Sequence, residues 1–199
     1  MSPMNNSILS ILTLLFSFLL TTTLNAQVQE KTLDNGLKVI VKQDHRAPIV
    51  TAQVWYKVGS ANEYGGITGV SHILERMMFK GTPKYPLGQF SQILAQAGAR
   101  DNAFTSRDYT AYFQLLAASE LETSFRLESD RMAALTLDEA EFLKEIEVVK
   151  EERRLRTDDN PNALTYEQFN ATAFNSSAYH NPVTVSYTHL RAHETGRNL

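Results

Sequence analysis

Two consecutive turns of the stretch GVSHILERMMFKGT, residues 69–82, carry His72, Glu75 and Arg76. Residues three and four apart share one face of a helix, so these side chains would converge on one point. An imidazole and a carboxylate at that spacing are the material of a hydrolytic metal site. A catalytic zinc takes three protein ligands, keeps a fourth position open for water, and uses a nearby carboxylate to accept the water's proton. His72 and a histidine at position 76 would be ligands there, with Glu75 as the base. Position 76 instead holds arginine, which has no lone pair to offer and stays protonated at any accessible pH.

A third ligand must come from elsewhere, and a longer helical segment ending near Arg156 offers candidates. Glu145, Val148, Val149 and Glu152 fall on one stripe of it, at i, i+3, i+4 and i+7. Carboxylates sharing a stripe with two valines would face the packed side, where a charge is costly unless paired or metal-bound. Lys144, Lys150, Arg153 and Arg154 surround them, however, and also fit a solvated helix with surface ion pairs. The helix alone leaves both readings open.

The elements that must position these residues are legible along the chain. Lys31–Leu33 and Leu37–Lys42 flank Asn35-Gly36, a strong hairpin signal. Residues 49–58, IVTAQVWYKV, alternate as a half-buried strand does, with Val50, Ala52, Val54 and Tyr56 on one face and Trp55 on the other. Residues 100–116 form a second hairpin turning at Ser106-Arg107-Asp108, with Tyr109 and Tyr112 assigned to the sheet. Ser119 with Glu122, and Asp138 with Glu141, have capping-box spacing and open two helices. Asp159-Asn160-Pro161 stops the second, because the residue before proline avoids helical geometry. A last helix spans 162–174. Hairpins alternating with helices indicate an α+β fold, an antiparallel sheet with helices packed on one face in a two-layer sandwich. Trp55, on the polar side of its strand, is expected to pack against a helix; His45 and His180 are isolated.

The 199 residues, 43% hydrophobic and 21% charged with net charge −3, suit one domain with a proper core. Neither that charge nor any basic run points to nucleic acid. With no cysteine, a disulfide scaffold and thiolate ligands are excluded, so any metal must be held by histidine and carboxylate. At the N-terminus, Ile8–Leu20 is an uncharged apolar run of about 13 residues, ending in a polar stretch and Ala26; this is signal-peptide patterning. It is short of the roughly 20 residues of a membrane span, although a retained anchor is the alternative. The expected organisation is a signal peptide over 1–26, a partial N-terminal peptidase-like domain over 27–184, and an unmatched tail over 185–199. In that tail His189, His193 and Glu194 imitate a metal motif. Export without disulfides suits a bacterial periplasm.

Four motifs in order, GVSHILERMMFKGT, NAFTSRDYTAYF, Asp130-Arg131-Met132 and EIEVVKEERRLRTDDNP, together resemble the pitrilysin/insulinase family of zinc peptidases with its inverted His-x-x-Glu-His motif. The resemblance covers about Val28 to Val183 and implies a processing-peptidase-like sheet backed by helices. It assigns His72 and Glu152 as zinc ligands, Glu75 as general base and Glu145 as a supporting carboxylate. Asn102, Ala103, Phe104 and Thr105 match the edge strand on which the family docks its peptide, main chain to main chain. It further implies a peptide substrate and a second peptidase-like domain or partner subunit that closes over it. Arg76 replaces the second histidine ligand. Its guanidinium is expected to pair with Glu75 and Glu152 and to leave zinc binding weak or absent. Three functions follow: an exported zinc endopeptidase, a non-catalytic partner subunit that binds peptide and completes the chamber of an active relative, or a plain binding module.

Overall fold

The computed structural model describes residues 28–184, so the signal-peptide reading and the histidines of the tail lie outside the described residues. The chain divides into two units, one ending at Ala47 and one beginning at Pro48. In the first, β1 (Val28–Thr32) and β2 (Lys38–Lys42) form an antiparallel hairpin, with Val28 opposite Lys42 and Thr32 opposite Lys38. The turn is wider than Asn35-Gly36 alone. Leu33 N–H donates to Leu37 O at 2.9 Å and Asn35 Oδ1 accepts from Leu37 N–H at 3.1 Å. Gly36 takes a left-handed φ of 86°, which a glycine adopts without steric cost.

The second unit is built on a three-stranded antiparallel sheet in the order β3 (Ile49–Tyr56), β5 (Thr110–Ala117), β4 (Arg100–Thr105). Ser106 N–H donates to Tyr109 O at 2.8 Å and closes the β4–β5 turn where the sequence placed it. Five helices belong to this unit among the described residues: α1 (Val70–Met77), α2 (Gln89–Gln96), α3 (Leu121–Ala134), α4 (Glu139–Arg153) and α5 (Pro161–Ala173). On one sheet face Ala52, Tyr112, Gln114 and Leu116 are buried, whereas Trp55, Phe104 and Leu115 on the other are exposed. The fold is therefore α+β with its helices on one side of the sheet. Two apolar clusters hold it together. Ile73 and Met77 of α1 meet Ile146 and Val149 of α4, while Phe90 and Leu94 of α2 meet Leu127 of α3 and Tyr85.

The helix ends show which local signals decided. Asp138 caps α4, accepting from Glu141 N–H at 2.9 Å. Asn160 caps α5, accepting from the N–H groups of Asn162 at 3.1 Å and Ala163 at 3.2 Å, with Pro161 at the first helical position, where its missing N–H costs nothing. Helix α4 ends at Arg153 and continues as a wider π-turn over Arg154–Asp158. The Ser119 box is corrected: Ala118–Glu120 forms a 3₁₀ turn, Glu120 is the N-cap, and no side chain caps α3. Helix α2 was not anticipated, although Phe90, Ile93 and Leu94 have the helical period. Trp55 is also corrected. It is 54% exposed and packs on Phe104 of its own sheet and on Tyr109, at 5.9 and 4.9 Å between centroids, rather than on a helix; Tyr109, expected in the sheet, lies in the β4–β5 turn just before β5.

Candidate metal centre

Helix α1 is short and follows Gly69, its N-cap, whose φ of 90° is left-handed. Its apolar residues Ile73 and Met77 face α4, which turns His72, Glu75 and Arg76 toward the groove between the two helices and the end of β4. Helix α4 runs along that groove with Glu145 buried and Glu152 half-buried. Val149 is fully buried, but Val148 is 42% exposed. The stripe that joins the two glutamates therefore includes only one of its valines, because α4 presents its narrow Glu145–Val149–Glu152 edge to α1.

The two helices that carry the candidate residues pack against each other. His72 is 7% exposed, and its Nε2 lies 3.7 Å from Glu152 Oε2. Two donors on one tetrahedral zinc, each about 2.0–2.2 Å from it, sit roughly 3.3 Å apart, so this pair is at shared-ion spacing. Arg76 fills the third direction. Its Nε donates to Glu145 Oε2, and its Nη1 lies 3.5 Å from Glu152 Oε2. The expected pairing of Arg76 with Glu75 is corrected: Glu75 Oε2 accepts from the Thr105 hydroxyl at 2.5 Å. Adjacent positions on a helix do not face each other, so Glu75 meets Thr105 while Arg76 reaches α4.

Two cations that the sequence reading passed over complete the cluster. Lys80 Nζ bridges Glu145 Oε1 at 2.6 Å and Glu141 Oε2 at 3.1 Å. Arg156 Nη1 lies 2.8 Å from Glu152 Oε1. Lys80 was findable, since it follows Arg76 by one turn and Glu141 precedes Glu145 by one turn. Burial by itself would raise the Glu145 carboxyl, but its hydrogen bonds to Lys80 and Arg76 outweigh that and hold it below the ordinary carboxylate range. Glu141 is held low mainly by its hydrogen bonds to Lys144 and Lys80.

The residues as they stand do not fit a three-ligand zinc site. His72 and Glu152 supply two donors, the third position carries a guanidinium, and every oxygen of Glu145 and Glu152 faces a cation. Among the described residues no group of three or more histidine and acidic side chains could hold a metal ion. His72 Nδ1 is buried with no hydrogen-bond partner among them, whereas a ligating histidine usually donates that proton to an acceptor that orients the ring.

The proposed docking strand borders this groove. Among the described residues β4 pairs with β5 alone, so no strand lies along its other edge. Asn102 and Phe104 are exposed, while Ala103 and Thr105 are half-buried. Asn102 Oδ1 accepts from Ala103 N–H at 2.8 Å. Thr105 at the strand's end joins this edge to Glu75.

A sequence profile described as "Insulinase (Peptidase family M16)" matches residues 38–185. The chain belongs to the insulinase family. Its M16 relatives include the zinc protease PqqE of Helicobacter pylori, 41% identical over 150 residues, an alignment covering 75% of this chain and 34% of that protein. The uncharacterized zinc protease YmxG of Bacillus subtilis is 28% identical over 78% of this chain and 38% of its own length. Subunit 1 of the mitochondrial cytochrome b-c1 complex of Rattus norvegicus is 30% identical over 74% of this chain and 30% of its own. The crystal structure of a protease from Helicobacter pylori superposes with a TM-score of 0.81 at 36% identity, covering 83% of this chain and 40% of that one. The insulinase-family chain thus spans 30–38% of the length of these relatives. Zinc belongs to the family's proteases; the family also reaches into subunits of larger complexes.

Proposed function

We propose that this chain is the site-bearing part of an exported, metalloendopeptidase-like protein that docks peptides along β4 and whose zinc site is disabled by Arg76. The observation that carries this reading is the ion-pair bridge from Arg76 to Glu145 and Glu152 beside His72. A dication entering there must displace a guanidinium already bound to its would-be carboxylate ligand, and it gains no third donor in return. His72 and Glu152 as ligands, Glu75 as base and Glu145 in support are the residues that an active version of the site would use. The apolar run Ile8–Leu20 ahead of Ala26 supports export, with the bacterial periplasm as destination.

The test is to measure zinc content and peptide cleavage of the full-length protein beside its Arg76→His variant. The native protein should hold zinc substoichiometrically and cleave little. Arg76→His should tighten zinc by at least about 10–100-fold, the effect of losing even a group that only orients a ligand, and should restore cleavage. Tight stoichiometric zinc in the native protein would sink the proposal. The second reading, a non-catalytic partner that binds peptide and completes an active relative's chamber, is favoured by the same ion-pair cluster. It is also supported by kinship with a cytochrome b-c1 subunit and with the beta subunit of a mitochondrial processing peptidase. It predicts that the native protein raises the activity of a partner peptidase while the Arg76→His variant stays inert alone.

A further inference from the structure

Helix α1 lacks a cap of its own. Gly69 offers no side chain, and its left-handed φ of 90° is not the extended geometry in which a local serine or aspartate caps a helix. No acidic residue stands in the first turn. The first N–H groups are nevertheless satisfied from a distance. Glu63 Oε2 accepts from Gly69 N–H at 2.5 Å, and Glu63 Oε1 accepts from Ser71 N–H at 2.8 Å. Glu63, Gly69 and Ser71 are all buried, and Glu63 is only 6% exposed. The carboxylate also sits where a helix N-terminus favours negative charge.

Glu63 is itself anchored. The preceding turn, Ser60–Asn62, is locked against the β4–β5 turn: Ser60 N–H donates to Ser106 O at 3.2 Å and Ala61 N–H to Arg107 O at 2.8 Å. Asn62 Oδ1 closes that turn on Gly59 N–H at 3.0 Å. The two backbones approach so closely at Gly59 that an added Cβ would lie 2.3 Å from Ser106 O. A continuous connection thus runs from the end of β4, through residues 59–62 and the Glu63 carboxylate, to the start of α1. Thr105 to Glu75 is a second, shorter tie between the same two elements.

We infer that Glu63 is the positioning residue that fixes α1, and with it His72 and Glu75, relative to the edge strand β4. This rests on the proposed function for its meaning, since there β4 receives the peptide and α1 presents the site, so the Glu63 tie sets the distance and angle between them. The role demands a carboxylate: both oxygens accept, and an amide would turn one of its own N–H groups toward a backbone donor.

The experiment compares the full-length protein with Glu63→Ala and Glu63→Gln by amide hydrogen exchange, with formate added and with chloride at equal ionic strength as control. In Glu63→Ala the amides of α1 should exchange about tenfold faster, the effect of one lost cap, while those of α3 keep their protection. Formate, a free carboxylate able to enter the vacated site, should restore α1, and chloride should not. Glu63→Gln should lie between the two and decides the matter where the alanine variant does not fold. In the Arg76→His background, Glu63→Gln should also weaken zinc about tenfold. Unchanged α1 exchange, a loss shared equally by α3, or indifference to formate would overturn the inference. Failure of Arg76→His to take up zinc would remove the proposed function alone, because the exchange and formate arms need no metal.

Discussion

Two of the charge clusters among the described residues are built on opposite plans. On α3, Glu128 and Arg131 lie three residues apart, 4% and 2% exposed, and Arg131 Nη2 meets Glu128 Oε1 at 2.5 Å. Gln114 of β5 donates to the same carboxylate, and the Ser124 hydroxyl donates to Gln114 at 2.6 Å. Rings of Phe90 and Tyr112, each 4.5 Å from the guanidinium carbon, and Phe79 at 5.4 Å enclose the arginine. Around α1 and α4 the charges come from separate elements, meet in a groove, and leave Arg76 about a third exposed. The first cluster is sealed, although Arg131 Nη1 is buried there with no hydrogen-bond partner among the described residues. The second holds its arginine by contacts that could be exchanged for other ones. A charge cluster on a closed face serves the fold, whereas one at an open groove next to a free strand edge can serve chemistry.

That contrast is broken most forcefully at its sealed end. Glu128→Ala should leave Arg131 buried without its counter-ion and cost about 3–5 kcal/mol of stability, read as a lowered urea midpoint; a cost near zero would mean that the cluster is not structurally essential. Lys80→Met removes one of the two cations on Glu145 and should cost a smaller 1–2 kcal/mol or so, while Arg76 remains to keep α1 on α4. Acid should act on the open cluster in a defined direction. Glu141 and Glu145 have folded values below their ordinary 4.5, so the unfolded chain takes up protons first as pH falls. Their contribution is complete above about pH 5 and is lost as pH drops through the lowered folded values. Urea midpoints should therefore fall below that point, and less steeply in Lys80→Met. The smallest effect belongs to Arg156→Ala, an exposed partner of Glu152 that should shift stability by less than about 0.5 kcal/mol.

Much of the site could be read in advance because its logic is local. His72, Glu75 and Arg76 share a face by helical geometry alone, and the same holds for Glu145 and Glu152 one helix away. The spacing of Asp138 from Glu141 likewise announced a real cap. What failed were inferences that depended on how the chain leaves one element or on which elements pack together. Ser119 had the right spacing, but a 3₁₀ turn leading out of β5 moved the helix start past it. Val148 had the right period, but only one edge of α4 fits against α1. Trp55 had an exposed position, and nothing local revealed that Tyr109 and Phe104 would lie beside it.

The order of residues alone thus determined which side chains share a helix face, where chains turn, and that a cation stands four residues after His72. These follow from backbone periodicity within four residues, which the chain carries wherever it goes. Tertiary structure decided that Arg76 reaches Glu145 and Glu152 rather than Glu75, that Thr105 meets Glu75, and that Glu63 supplies the cap that Gly69 cannot. Those outcomes depend on which elements pack side by side, and the partners stand as far as 76 residues apart in the chain, from Arg76 to Glu152. Only the packed helices and sheet bring such distant groups within reach of one another's charge.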